Sequence, residues 1–243
     1  MKKRQQSQTS NRALKFCLTL VGVVFAAVAV ASGLEIILGL NEYQEARNEY
    51  ADLREQFAPP DISLGTLELI EETDHEIYYE EIEIDQPSGG MDLEGLREIN
   101  PGVVAWITVP DSSIDYPIVQ GRDNVRYLHH TVAGVRNAAG AIFLDYRNAA
   151  NFSDPKSIVY GHEMRDGSMF ASLHSWNGDQ FIIHTQDKTL VFEVFNRQTV
   201  HETHDLYQFI DIDDTTKIVT LSTCVSGRQD MRLVVQGKLL NYW

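Results

Sequence analysis

The sequence predicts a mostly β domain of eight short strands with short helices, preceded by an N-terminal transmembrane helix and a juxtamembrane helix. Three observations predict it: an uncharged apolar run near the N-terminus, an acidic stretch behind it, and beyond residue 90 a series of apolar runs punctuated by turn residues. With 243 residues, the chain is long enough for one globular core plus appendages. Acidic residues outnumber basic ones 35 to 20, for a formal charge of −15, which argues against a nucleic-acid binder.

The first fifteen residues read as a cytoplasmic tail: Lys2, Lys3, Arg4, Arg12 and Lys15 are basic and no acid accompanies them. From Phe16 to Leu34 no residue is charged. At about 1.5 Å per residue this run reaches roughly 28 Å, close to the ~30 Å hydrocarbon core of a lipid bilayer. Residues 16–40 are therefore read as a single-pass anchor, with Ile36 to Leu40 extending the helix if it tilts. The basic flank should stay cytoplasmic and leave the C-terminal bulk outside. The rival reading is a cleaved signal peptide, since Ala29-Val30-Ala31 suits a small-residue cleavage site; the apolar run is longer than the usual signal.

Residues 41–57 mix charge with Tyr43, Tyr50, Leu53 and Phe57 and predict a helix continuing from the membrane, ended by Pro59-Pro60. Residues 61–90 hold ten acids and no Lys or Arg, which reads as a solvated spacer or, alternatively, an acidic face for divalent ions. Pro87-Ser88-Gly89-Gly90 marks a boundary. Residues 91–243 then form the main domain. A short helix is expected over Leu93 to Ile99. Strands are expected over Val103–Val109, Ile114–Val119, Ala141–Leu144, Ser157–Tyr160, Phe181–His184, Leu190–Val200, Lys217–Thr223 and Arg232–Leu240. Such a series closes into a barrel or stacks as a sandwich.

Two strand ends carry chemistry. Ile158-Val159-Tyr160-Gly161-His162 stops at a glycine and a histidine, and Ile218 to Cys224 ends on a thiol. The chain has two cysteines, and Cys17 lies in the apolar run, so Cys224 has no partner in the exported part. A lone exported thiol is either a buried bystander or a nucleophile. Arg232 opens the last strand. Its rival Arg228 falls in an expected loop, Ser226 to Asp230. His201 and His204 lack the spacing of a zinc-protease helix, His129-His130 reads as surface, and Asp211, Asp213 and Asp214 do not follow the EF-hand pattern. Weak Ca²⁺ binding by those aspartates is the minority reading.

In the order His, Cys, Arg, the sequence resembles the sortases, membrane-anchored cysteine transpeptidases of Gram-positive bacteria. Thr220-Leu221-Ser222-Thr223-Cys224 fits their TLxTC signature. Trp106 to Pro110, Ile114 to Gly121, Gly140 to Asn148 and Tyr160 to Phe170 resemble class B in particular. The resemblance implies an eight-stranded sortase-like β-barrel, catalytic His162, Cys224 and Arg232, and a substrate groove lined by Asn124, Leu128 and Ser222. It implies thiol-protease-like cleavage of a C-terminal sorting signal after threonine, through a thioester on Cys224. The partners it implies are surface proteins or pilins as donors and a cell-wall peptide or lysine amine as acceptor, with no cofactor. A hydrolytic cysteine protease and a non-enzymatic membrane-tethered barrel are the alternatives. One departure stands out. Class B sortases usually carry a long helix between the sixth and seventh strands, whereas His201 to Thr216 has room for only a turn or two.

The chemistry needs this set. A thiolate attacks, and a free thiol titrates near about 8.5 against about 6.5 for imidazole, so an unshifted Cys⁻/His⁺ pair is about a hundredth as populated as the neutral pair. A neighbouring arginine favours the anion and the oxyanion that follows.

Overall fold

A computed structural model describes residues 2–59, 91–208 and 216–243, with side chains from Leu20 onward. The chain divides into two compact units, Met1–Glu45 and Ala46–Trp243. Helix α1 runs from Lys2 to Phe57. Within the first unit its large apolar side chains from Leu20 to Leu40 are exposed, Phe25 and Ile36 among them. By length and composition this helix can cross a membrane.

In the second unit the last turns of α1 are amphipathic. Ala46, Tyr50 and Leu53 follow helical spacing and are buried. Tyr50 donates its hydroxyl to the Gly140 carbonyl at 2.6 Å and meets Tyr116 edge-on, ring centroids 5.3 Å apart. Arg47 pairs with Asp166 at 3.2 Å, and Glu49 accepts from the Ala133 N–H. Residues 46–57 therefore pack with the barrel as part of its own unit.

The barrel has the expected eight strands: β1 Val103–Thr108, β2 Asp115–Gln120, β3 Ile142–Leu144, β4 Lys156–Tyr160, β5 Gln180–Thr185, β6 Thr189–His201, β7 Ile218–Val225 and β8 Arg228–Tyr242. Helix α2, Glu94–Ile99, precedes them. The strands close in the order β1-β2-β3-β4-β7-β8-β6-β5, a barrel and not a sandwich. Two pairs are parallel, β2 with β3 and β4 with β7, and the rest antiparallel. Closure leaves no open edge, so apolar residues face one shared interior. Ile107, Ile118, Ile142, Phe181 and Phe192, which the register puts on one face, fill it, and the Phe181 and Phe192 rings stack at 5.2 Å.

One loop expectation fails. Arg228 lies in β8 and pairs with Val225, because Ser226-Gly227 suffices for the turn. Gly227 has φ +77°, a conformation glycine adopts without a Cβ penalty, so a two-residue turn closes the hairpin, and the ladder then shifts register between Val225 and Cys224. Beyond β6 the described chain holds one 3₁₀ turn, Asp205–Tyr207; Asp211, Asp213, Asp214 and the acidic 61–90 segment lie outside the described residues.

His184 on β5 is 3% exposed and hydrogen-bonded through Nδ1 to Thr189. Burial pushes its pKa from 6.5 down to about 4, so the folded protein holds it neutral. The unfolded chain protonates first on acidification, so this group's contribution is full above about pH 6.5 and is lost between about 6.5 and 4. Urea unfolding across that range should show wild type losing on the order of 3 kcal/mol more than His184→Gln; parallel pH profiles would contradict it.

Candidate active site

Three neighbouring strands build the site. In the parallel pair β4–β7, Tyr160 is opposite Ser222, and the Gly161 N–H donates to the Ser222 carbonyl at 3.1 Å. Two residues past that register come His162, just beyond the end of β4, and Cys224, still within β7. In the antiparallel pair β7–β8, Cys224 is directly opposite Arg232. Directly paired antiparallel residues project to the same face. The chain turns away after β4 because Gly161 packs tightly: a Cβ there would meet Ile142 Cδ1 at 2.5 Å and the Phe170 ring at 2.7 Å. The Phe170 N–H then donates to the His162 carbonyl, fixing the backbone of the histidine.

His162 is half-buried, with Nε2 2.8 Å from the Leu128 carbonyl. A carbonyl only accepts, so Nε2 carries the proton and Nδ1 is left as the exchangeable nitrogen. Cys224 is a half-buried free thiol. Its own carbonyl accepts from His174 Nε2 at 3.0 Å, and His174 stands 3.6 Å from Glu163. The Arg232 guanidinium lies along the hairpin. Nη1 donates to the carbonyls of Gln229 at 2.7 Å and Met231 at 2.9 Å, and Nη2 to Glu202 Oε2 at 2.6 Å.

Of the groove residues expected from the resemblance, Ser222 is buried and shares a 2.7 Å hydrogen bond with the Tyr207 hydroxyl. Leu128 is half-buried and supplies the carbonyl on His162. Asn124 is tied into a polar cluster: one amide N–H goes to Asp145 at 2.9 Å, and its oxygen accepts from the Tyr146 N–H. Asp145, fully buried, is the hub. It takes a two-pronged contact from Arg147, at 2.8 Å on each oxygen, and a hydrogen bond from the Tyr160 hydroxyl at 3.0 Å. Burial pushes the Asp145 carboxyl up, but the Arg147 side chain and backbone N–H, with Asn124, outweigh it and hold it below the usual range. Burial, and then the Asp145 charge, raise Tyr160 well above an ordinary phenol. The Tyr160 ring stacks on Tyr207, centroids 6.4 Å apart and 11° between planes, so Asp145 and Ser222 are linked through two tyrosines.

The ladders thus place Cys224 opposite Arg232 and two residues past Ser222, with His162 following the end of the adjacent β4; Leu128 reaches His162 through its carbonyl, and Asn124 is tied to Asp145. Sequence reasoning did not single out Glu202, Tyr207, His174 or Asp145. Tyr207 offered no distinguishing signal, since its connection also carries Leu206, Phe209, Ile210 and Ile212. His201 and His204 are turn-forming, bonded to Thr203 and to the Leu206 N–H. Among the described residues no three His, Cys, Asp or Glu side chains gather in a way that could hold a metal ion.

The sortase-domain family model matches residues 107–240, a span that includes His162, Cys224 and Arg232. The chain belongs to the sortase family. Sortases are cysteine transpeptidases, and this one is most similar to class B. Sortase B of Listeria monocytogenes is 34% identical over 182 residues, covering 61% of this chain and 74% of that protein. The crystal structure of sortase B from Bacillus anthracis matches 83% of this sortase and 99% of that chain, with TM-score 0.62 and 27% identity. A Streptococcus pyogenes class B sortase involved in pilus biogenesis matches 61% of this sortase and 98% of that chain, with TM-score 0.54 and 29% identity.

The Asp145 hub of this sortase should be costly to break, since Arg147, Tyr160 and Asn124 all lose an acceptor together. Asp145→Ala should lower unfolding free energy by roughly 2–4 kcal/mol in urea titrations. A loss under about 0.5 kcal/mol would show that water replaces the carboxylate without cost.

Proposed function

We propose that this sortase is a single-pass membrane transpeptidase, with its N-terminus cytoplasmic and its barrel outside the cell. It cleaves a C-terminal sorting signal after threonine and passes the acyl group to an amine. The observation that carries the reading is the cross-strand pairing of Cys224 with Arg232, with His162 two residues beyond the end of the adjacent parallel strand β4.

The Cys224 thiolate attacks the threonine carbonyl carbon of the scissile bond, forming a C–S bond and an oxyanion. Arg232 donates to that oxygen as its charge develops, where a fixed donor acts mainly on the transition state. His162, protonated at Nδ1 and held through Nε2 by Leu128, gives its proton to the departing nitrogen as the C–N bond breaks. A thioester remains. An incoming amine attacks it, neutral His162 takes the amine proton at Nδ1, and the C–S bond breaks to restore the thiolate. The acceptor is a cell-wall peptide amine or a pilin lysine. The pilus-related streptococcal relative supports including the second. The lysines and arginines before Phe16 support the orientation. Asn124, Leu128 and Ser222 line the groove, Asn124 with its remaining amide N–H and Ser222 beside the nucleophile.

Intact-mass spectrometry with a panel of sorting-signal peptides, with and without an amine acceptor, tests this. Wild type should show a thioester adduct that the amine converts to a ligated product. Cys224→Ala should form no adduct, and His162→Ala should lose nearly all turnover while remaining folded. Arg232→Ala should lower kcat by about 10²–10³ with KM little changed, and Arg228→Ala, exposed at the hairpin tip, should stay within a few-fold of wild type. Free acid as the only product in saturating amine would make the protein a hydrolase. Crippling by Arg228→Ala with Arg232→Ala near wild type would overturn the arginine assignment.

A further inference from the structure

We propose that Glu202, on the short connection between β6 and β7, is a positioning residue for Arg232. It pins the far end of the guanidinium so that the edge left free can meet substrate. This rests on the oxyanion role given to Arg232 above.

An arginine carries five N–H donors in a rigid fork. Both Nη1 hydrogens of Arg232 are spent on the Gln229 and Met231 carbonyls, and one Nη2 hydrogen on Glu202. Nε–H and the second Nη2–H have no partner among the described residues. The two carbonyls hold only one nitrogen of the fork, so they fix its position but leave it free to swing about that point. Glu202 anchors a second nitrogen, and with the side-chain stem as the third point the plane is fixed. Glu202 is itself fixed. Its N–H donates to the Asp230 carbonyl at 2.8 Å, and the residue before it, His201, pairs with Met231 in the β6–β8 ladder. The anchor and the arginine therefore hang from one hairpin and move together.

The same connection reaches the other side of the nucleophile, where Tyr207 binds Ser222. Glu202 and Tyr207 thus bear on residues flanking Cys224 from a segment whose described residues hold a single 3₁₀ turn. The Glu202 side chain is 49% exposed, so water screens its charge, and its effect comes from orientation more than from field strength.

Steady-state kinetics of the full-length protein in detergent micelles, with the best peptide from the sorting-signal panel, tests the proposal. Glu202→Ala should lower kcat about fivefold with KM within about twofold of wild type. Glu202→Gln, which keeps an oxygen for Nη2, should recover most of that loss. In an Arg232→Ala background, Glu202→Ala should cost nothing further, because its effect passes through the arginine. Thermal unfolding of each variant reports whether the fold is intact, and Glu202→Ser stands in if the alanine variant folds poorly. A wild-type kcat for Glu202→Ala beside a crippled Arg232→Ala overturns this inference and leaves the mechanism standing, as does a further loss in the double variant. A near-wild-type Arg232→Ala instead removes the mechanism on which the inference rests.

Discussion

The site depends on the register of one strand. β7 pairs in parallel with β4 and antiparallel with β8, and those two ladders place everything else. Side chains alternate along a strand, so a one-residue slip would send Cys224 to the opposite face, away from Arg232. The register is defended on both sides. Ser222, two residues before the thiol, accepts from Gly161 through its carbonyl and bonds Tyr207 through its hydroxyl. Gln236 on β8 donates across to Thr220 in the buried middle of the pair. In the proposed mechanism Cys224 is a nucleophile held on paired backbone, and such a residue keeps its position during the reaction better than one on a free loop.

Around that strand the polar groups fall into two tiers. The inner tier is His162, Cys224 and Arg232. The outer tier holds the inner one by single contacts: the Leu128 carbonyl on His162, His174 on the Cys224 carbonyl, and Glu202 on Arg232. The Leu128 contact fixes the histidine tautomer and so decides which nitrogen exchanges protons. Asp145 is set further back, yet through Tyr160 and Tyr207 it braces the wall on which Ser222 sits. Its burial is tolerable because each oxygen is satisfied by a fixed donor.

Much of this was legible in the residues. The eight apolar runs became eight strands because turn residues such as Asp154-Pro155 and Asn177-Gly178 interrupt them at places where no side-chain pattern continues. The thiol and the histidine stood out because each ends an apolar run, where a reactive side chain can be rigid and still open. Strand order was not legible. Nothing local in Ser157–Tyr160 says that its neighbour is Ile218–Val225 and not the next strand along. Arg228 was misplaced because the sequence does not reveal how tight a turn Ser226-Gly227 makes. Glu202, Tyr207 and Asp145 were passed over for the same reason: charged and aromatic residues in connections acquire meaning only from partners far away in the chain, such as Arg232, Ser222 and Arg147.

A crystal structure of the protein with Cys224 joined covalently to a peptide analogue of the sorting signal would test the central claim most directly. The account predicts the trapped carbonyl oxygen about 3 Å from Nε or Nη2 of Arg232, His162 Nε2 still on the Leu128 carbonyl, and Nδ1 facing the sulfur. An adduct whose oxygen is held by other donors, with His162 turned to present Nε2, would contradict it.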